Sequence, residues 1–300
     1  MSFLLADAKK LTQDMLQRGV IETMEKTSGV LHRLPFIEVV GSGYAYNIME
    51  ELPEVNYREV NKGYQNTAAT VTQAVESLVI FGGDADVDVF LGRTHSNLND
   101  LRALNTEAKA KSVARTFEKE FFAGTGETKN EGVGGSAAPT LKGLDQRIKD
   151  SIAGTEIKAT LTLDALNELL DAVVDGADTL FMSKKMRREV MKLLQENNHY
   201  IENGKDEFGR MVQYYGGVEI VAVEDSLIPA DKIYAVKFGT DSYVHGLSNG
   251  GIQARDLGEL DTLPVYRTRI EMYVGLATKH KKSFAVLDTT AGVMRAAKGK

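Results

Sequence analysis

Gly246-Leu247-Ser248-Asn249-Gly250 matches the Gly-x-Ser-x-Gly pattern of a hydrolase nucleophile elbow. That chemistry needs a strand before the serine and a helix after it, so that the hydroxyl stands exposed on a strained turn. Here the serine is followed by two glycines and a stretch that predicts a turn and then a strand. Asp256 or Asp261, followed by His280, would complete a triad in the right chain order. If the chain were an enzyme, a serine hydrolase that uses Ser248 would be the reading of this motif. The residues after Ser248, however, predict no nucleophile elbow.

Three aspartates, Asp84, Asp86 and Asp88, alternate with apolar residues and so lie on one face of a predicted strand. Their spacing also resembles the start of an EF-hand calcium loop. That loop requires Gly at its sixth position and Glu at its twelfth, where this chain has Val89 and His95. We therefore predict a solvated strand face, no metal ligands and no cofactor.

The glycine-rich stretch 124–136 could in principle cradle a phosphate, but it lacks the glycine directly before Lys129 that a P-loop needs. It also follows a predicted helix, whereas phosphate loops follow a strand, so a surface loop is predicted. The chain has no cysteine and only five histidines, which removes thiol nucleophiles, iron–sulfur clusters and Cys-based zinc sites. We predict no catalytic residue.

The composition is that of a folded globular chain, with 43% hydrophobic and 26% charged residues. No apolar run approaches the roughly 20 residues needed to span a bilayer. Residues 1–7 carry an acid where a signal peptide needs its apolar core, so we expect the chain to stay where it is made. The net charge of −6 argues against a surface that grips nucleic acid.

A long helix is predicted from about Asn97 to Ala123, with Asn97 or Ser96 as its cap and Gly124 at its end. Apolar residues recur at three- and four-residue steps, namely at Leu98, Leu101, Leu104, Ala108, Ala114, Phe117 and Phe121. The pattern indicates a structural helix rather than a cofactor site.

Residues 36–40, 44–48 and 56–60 are rich in β-branched and aromatic residues and predict a long two-stranded ribbon that is polar on both faces. Such a ribbon is marginal alone and needs a surface to lie on. An ordinary hairpin folded against its own domain is the alternative. The first thirty residues predict short helical turns that form an arm.

Helices and strands alternate after residue 160. Thr162 caps a helix over 163–174, a strand follows at 179–182, and Ser183 caps a second helix over 184–196. A hairpin is predicted around Gly216-Gly217, with further strands at 233–238 and 266–276. This stretch predicts a compact α+β unit.

Several stretches, spread in order along nearly the whole chain, resemble the major capsid proteins of tailed bacteriophages, whose Hong Kong 97-type fold encapsulins share. They are Leu34-Pro35-Phe36, Val60-Asn61-Lys62-Gly63-Tyr64, Asp84-Ala85-Asp86-Val87-Asp88, Gly143-Leu144-Asp145-Gln146-Arg147-Ile148, Phe181-Met182-Ser183, Asn249-Gly250-Gly251-Ile252, Asp256-Leu257-Gly258-Glu259 and Pro264-Val265-Tyr266-Arg267-Thr268-Arg269-Ile270. A match of this extent is more specific than any single motif.

The resemblance implies an α+β fold of the Hong Kong 97 type with four parts. We expect an N-terminal arm, an extended β-loop, a peripheral domain built on a long spine helix, and an axial domain. Their expected bounds are 1–33 for the arm, 34–72 for the loop, 73–145 with 264–300 for the peripheral domain, and 146–263 for the axial domain.

The resemblance also implies a structural function without enzymatic activity. Copies of the chain would form hexamers and pentamers that close into an icosahedral head around double-stranded DNA, without sequence-specific binding. The expected partners are further copies, a scaffolding protein, a portal and a decoration protein, and no membrane. The virion is the expected location, after assembly in the host bacterial cytoplasm. An encapsulin-type bacterial compartment is the alternative with the same fold.

Some members of that family cross-link their subunits covalently through a loop lysine. Lys62 is the only lysine of the predicted ribbon and is the candidate for that role.

Overall fold

Two β-sheets and a separate two-stranded ribbon organise the fold. The computed structural model describes residues 2–3, 14–51, 53–64, 70–94, 100–129, 138–196, 202–205 and 211–290. The helices are α1 Met15–Thr27, α2 Gly29–Arg33, α3 Val89–Thr94, α4 Leu101–Ala123, α5 Leu144–Lys149, α6 Leu163–Asp171 and α7 Lys184–Glu196. Across these ranges, no helix is both long and apolar enough to cross a membrane.

The first sheet has five strands in the order β1-β2-β14-β15-β5. They are β1 Ser2–Phe3, β2 Phe36–Glu38, β5 Val79–Asp88, β14 Val244–Glu259 and β15 Val265–Thr278. The pairs are antiparallel except for β14 with β2. The long β14–β15 hairpin forms the centre of this sheet, and β5 is the strand at one edge of the sheet.

The second sheet has seven strands in the order β10-β11-β12-β9-β13-β16-β8. They are β8 Thr155–Lys158, β9 Thr179–Ser183, β10 Glu202–Lys205, β11 Met211–Tyr215, β12 Val218–Val223, β13 Lys232–Val236 and β16 Phe284–Asp288. The predicted caps Thr162 and Ser183 are confirmed, because their hydroxyls accept the N–H groups of Ala165 and Met186. The hairpin around Gly216-Gly217 is confirmed as well.

The long helix α4 lies between the two sheets. Phe117 contacts Phe81 of β5 with ring centroids 6.3 Å apart, while Phe122 contacts Phe181 of β9 at 5.5 Å and Tyr234 of β13 at 4.9 Å. Aromatic side chains bury more apolar area than other residues, so these contacts dominate the core that joins α4 to both sheets.

The start of α4 differs from the prediction. Asp100 caps the helix, since its Oδ1 accepts the N–H groups of Arg102 and Ala103, and the predicted caps at 96 and 97 lie outside the described residues. Leu104 and Ala108 were predicted to be core residues but are exposed. The buried stripe instead runs through Thr106, Ala110, Val113, Ala114, Phe117, Glu118, Phe121 and Phe122, on the side that meets the arm and the sheets.

The ribbon pairs β3 Gly43–Glu51 with β4 Thr70–Ser77 in antiparallel register. Two predictions about it were wrong. Residues 56–60 form no strand, because the chain turns at Val60 and Asn61 and pairs there with no strand of the described ranges, and residues 36–38 join the five-stranded sheet. A second two-stranded pair, β6 Thr128–Lys129 with β7 Ala138–Pro139, flanks the glycine-rich stretch, whose residues 130–137 lie outside the described ranges.

Candidate functional site

The loop at the far end of the ribbon, residues 53–64, is exposed at every position. It carries four large apolar or aromatic side chains, including Val55 at 92% exposure and Tyr57 at 106%, the fully extended reference being 100%. Val60 and Tyr64 are the other two. A turn closed by the Lys62 N–H to the Glu59 carbonyl at 3.2 Å shapes the loop. Clustered exposed apolar groups mark a surface that another molecule covers.

The half of the ribbon nearest the body has a different character. Tyr46 and Ile48 point to one face and are buried against Leu247 of β14 and Ala277 of β15. The prediction of a ribbon polar on both faces is therefore wrong for this half. The base of the ribbon is therefore held to its own subunit, whereas the distal loop 53–64 is exposed throughout.

An ion pair between a buried arginine and a partly buried glutamate closes the root of the ribbon. Arg147 of α5 is fully buried, and its Nη1 donates to Glu76 Oε1 of β4 at 2.7 Å. The same nitrogen lies 3.3 Å from Thr278 Oγ1, and Nη2 donates to the Leu276 carbonyl at 2.6 Å. The guanidinium therefore joins α5 to one ribbon strand and to β15.

Three polar contacts attach the arm helices α1 and α2 to the body, and in the first of them Gln17 Nε2 donates to the Ile252 carbonyl of β14 at 2.6 Å. The Gly29 N–H donates to Glu118 Oε1 of α4 at 3.1 Å, and Arg33 forms a two-pronged ion pair with Glu219 of β12. Burial of Glu118 raises its pKa to about 7, although hydrogen bonds from Val30, Gly29 and Ser28 act in the opposite direction. The arm is therefore docked on its own subunit through a carboxylate that titrates near neutral pH.

Ser248 has none of the geometry of a nucleophile. It lies inside β14, is buried, and is followed by a bulge after which the strand resumes at Ile252. Its Oγ has no hydrogen-bond partner among the described residues, while His280 Nδ1 accepts the Lys282 N–H. The predicted strand after Ser248 is confirmed, but a bulge within β14 stands where a turn was predicted, and no helix follows the serine, so the elbow is missing.

His245, in the same strand as Ser248, is also unsuited to acid–base work. Burial, with smaller contributions from the nearby charges of Lys279 and Arg147, lowers its pKa to about 4.

The three aspartates of β5 are occupied by protein groups. Asp84 and Asp86 lie directly opposite Arg269 and Arg267 of β15, and each carboxylate accepts two guanidinium hydrogen bonds of 2.6–3.0 Å. These arginines lower the pKa of both carboxyls. Asp88 accepts the Phe90 N–H at the start of α3. Within the described ranges, no group of three His, Asp or Glu side chains could hold a metal ion.

Sequence reasoning missed two groups, Glu118 and the Arg147–Glu76 pair. Glu118 follows Phe117 on the predicted helix and looks like one of its solvated charges. Arg147 and Glu76 are 71 residues apart, so no local spacing connects them. The one available signal was the position of Arg147 inside a stretch that resembles a known family.

The model of the SU10 major capsid protein family matches residues 45–289. The chain belongs to this family. It is a major capsid protein, a structural and non-enzymatic component of the phage head, and its location is the virion. Among curated proteins, no match is found.

Solved structures show that the capsid protein has the Hong Kong 97-type α+β fold. The SrpI encapsulin complex from Synechococcus elongatus PCC 7942 aligns with a TM-score of 0.67 at 14% identity, over 95% of this chain and 94% of that one. The cyanophage A-1(L) capsid aligns with a TM-score of 0.61 at 13% identity, over 85% and 90% of the two chains. A Microbacterium phage Oxtober96 structure gives 0.60 at 15% identity, over 87% and 91%.

Proposed function

We propose that the distal loop of the ribbon, residues 53–64, binds a neighbouring subunit and so links copies of this capsid protein into hexamers and pentamers of an icosahedral head. The observation that carries the proposal is the exposure of Val55, Tyr57 and Val60 at the end of a ribbon whose base is firmly held. Closed symmetry lets one chain use the same patches repeatedly, so a single loop can serve every contact of this kind.

The proposed contents of the head are double-stranded DNA held without sequence-specific contacts. The net charge of −6 supports this proposal, because a capsid shell that bound the DNA phosphates tightly would hinder the packing and release of the DNA. A scaffolding protein, a portal and a decoration protein remain proposed partners, and the host bacterial cytoplasm remains the proposed place of assembly.

The division into arm, extended β-loop, peripheral and axial domains also remains a proposal. Strand pairing bears on its bounds. β14 falls in the expected axial segment 146–263 but pairs in the five-stranded sheet, and β16 falls in the expected peripheral segment 264–300 but pairs in the seven-stranded sheet. We therefore propose that the peripheral domain includes 244–278 and that the axial domain includes 284–288.

The test replaces three exposed side chains of the loop by serine, in the variant Val55→Ser, Tyr57→Ser, Val60→Ser. Because these side chains touch no core residue, circular dichroism and thermal unfolding of the subunit should match the parent. Sedimentation and electron microscopy should show loss of closed particles.

The matched control is Val75→Ser, an exposed valine in the ribbon strand itself. Normal particles from the triple variant, or an equal loss in the control, would overturn the proposal.

An encapsulin-type compartment was the expected alternative, and the alignment with the SrpI complex shows that the two share a fold. The match of the SU10 family model over most of the chain favours the phage head. The content of purified particles distinguishes the phage head from the encapsulin compartment. Nuclease-resistant DNA inside the particles supports the head, and a stoichiometric protein cargo supports the compartment.

Lys62 remains the candidate for a covalent cross-link. Its ammonium pairs with Glu59 on the exposed loop, 2.6 Å away. Denaturing electrophoresis of assembled particles tests this role, because cross-linked subunits migrate as oligomers.

A further inference from the structure

The short helix α5 touches both sheets through two side chains that are two residues apart. Asp145 faces the seven-stranded sheet, where it accepts hydrogen bonds from Lys232 Nζ and from the Tyr234 hydroxyl, both at 2.9 Å. Both donors belong to β13. Arg147 faces the other way, toward the ribbon and the five-stranded sheet.

The guanidinium of Arg147 is fixed from several directions. Besides Glu76, its acceptors are the carbonyls of Lys142 and Leu276 and the hydroxyl of Thr278. A guanidinium is planar and presents its donors in a rigid fork. The acceptors of the Arg147 guanidinium lie in the loop at Lys142, in β15 and in β4. The guanidinium donates to all of them in one orientation.

Glu76 sits at the root of the ribbon, opposite Tyr44 and two residues before β4 leads into β5. Its Oε1 also accepts the hydroxyl of Tyr46, 3.4 Å away, and that hydroxyl lies 3.4 Å from the N–H of Thr278. Both ribbon strands are therefore tied to β15 through one buried network centred on Arg147.

We infer that α5 sets the direction of the ribbon relative to both sheets, with Arg147 and Glu76 as positioning residues for the contact made by the distal loop. The inference rests on the proposed function of that loop. The inference adds a reason why the loop reaches its neighbour in the right place. Helix α5 binds the ribbon root and β15 through Arg147, and it binds β13 through Asp145.

The apolar contacts at the ribbon base cannot supply this direction by themselves. Tyr46 and Ile48 lie on Leu247 and Ala277, and such burial is non-directional. A buried ion pair is costly to desolvate, and a well-packed apolar pair often stabilises a fold as well. What the pair adds here is a fixed geometry, because the guanidinium fork and its acceptors fit in one arrangement.

The test measures the direction of the ribbon by a spin-label distance. The chain has no cysteine, so Asn47→Cys on the ribbon and Lys184→Cys on α7 give two unique labelling sites, both exposed. Labelled subunits are diluted with unlabelled ones, so that the measured pairs lie within one subunit whether or not particles form. The parent should give a narrow distance distribution.

The test variant is Glu76→Gln, which keeps an oxygen acceptor but removes the carboxylate that Arg147 touches. We expect a broadened or shifted distance distribution and a loss of closed particles, while far-ultraviolet circular dichroism is unchanged. The matched control is Glu271→Gln, which removes the carboxylate of an exposed pair with Arg255 in the same sheet and should leave the distance unchanged. An unchanged distribution in Glu76→Gln overturns the inference.

A second variant, Arg147→Lys, keeps the positive charge but removes the guanidinium fork. If Glu76→Gln does not fold, this variant decides, and an unchanged distance in it overturns the inference. Failure of the proposed loop function is distinguishable, because the triple serine variant of the loop would then assemble normally whatever the spin-label distances show.

Discussion

Glu118 is the buried carboxyl that joins the arm to the long helix. It lies on α4 among the backbone N–H groups of α2, and burial raises its pKa from 4.5 to about 7. Arg115, one turn away on the same helix, favours the charged form but pairs with Glu224 at 2.5 Å. The protonated form is therefore the one that the folded subunit prefers at mildly acidic pH.

The variant Glu118→Gln should remove a pH dependence of stability. Because the folded pKa lies above its ordinary value, the stabilising contribution is complete below pH 4.5 and is lost as the pH rises through about 7. The parent should lose up to about 3 kcal/mol of unfolding free energy over this window relative to the variant. Urea unfolding of the subunit at a series of pH values measures the difference.

The control for this prediction is Glu107→Gln on the exposed side of the same helix, where Lys111 lowers the pKa of the carboxyl. This variant should keep the pH profile of the parent between pH 5 and pH 8, since its carboxyl is charged throughout. Parallel profiles for the parent and Glu118→Gln would show that the Glu118 carboxyl does not titrate in this window.

At the scale of elements, the β5–β15 pair is held by a ladder of opposite charges. Asp84→Asn should lower the unfolding free energy by about 1 kcal/mol, because Arg269 loses a two-pronged but partly exposed partner. The pKa of Asp84 is lowered, so this contribution is present above about pH 4 and disappears as the pH falls through the folded value. Urea unfolding at low and high salt measures it, with the larger effect at low salt.

Asp241→Asn, an exposed aspartate in a turn, is the matched control and should leave stability unchanged. A chelator should also leave the unfolding curve unchanged, since arginines occupy the two carboxylates. A shift of the curve with chelator would show that Asp84 and Asp86 bind a cation instead.

The strands show what the sequence could predict about elements. Residues 179–182 and 266–276 were predicted correctly because they combine apolar residues with β-branched and aromatic ones. The same composition at 56–60 produced a false strand, and the true partner of β3, Thr70–Ser77, was missed. Pairing is decided by non-local register and burial, which local composition does not carry. The α+β class and the long helix were predictable, because both follow from local periodicity.

The candidate site was less predictable than the fold for the same reason. An exposed loop that carries Val55 and Tyr57 looks like a strand in the sequence, since both are strand-forming residues. Arg147 and Glu76 look like ordinary surface charges, because neither has a neighbour in sequence that explains its burial. Only the folded chain brings their atoms together.

At the scale of the whole molecule, the subunit divides its surface between contacts that it satisfies itself and contacts that it leaves open. The arm and the ribbon base are docked on their own body through Glu118, Arg33 and Tyr46. The loop at 53–64 is not docked. This arrangement suits a shell protein, because a subunit can fold before it meets a neighbour and then use the open loop to join it.

Assembly should therefore protect this loop from proteolysis. Arg58 and Lys62 are trypsin sites in an exposed segment with little backbone hydrogen bonding, so free subunits should be cut there first. In closed particles a neighbour covers the loop, and the rate of cutting at both sites should fall sharply. Mass spectrometry of the fragments over time, with the triple serine variant as the non-assembling control, measures the two rates. Equal cutting rates at Arg58 in subunits and particles would mean that the loop stays open in the shell, and the contact between subunits would then have to be made elsewhere.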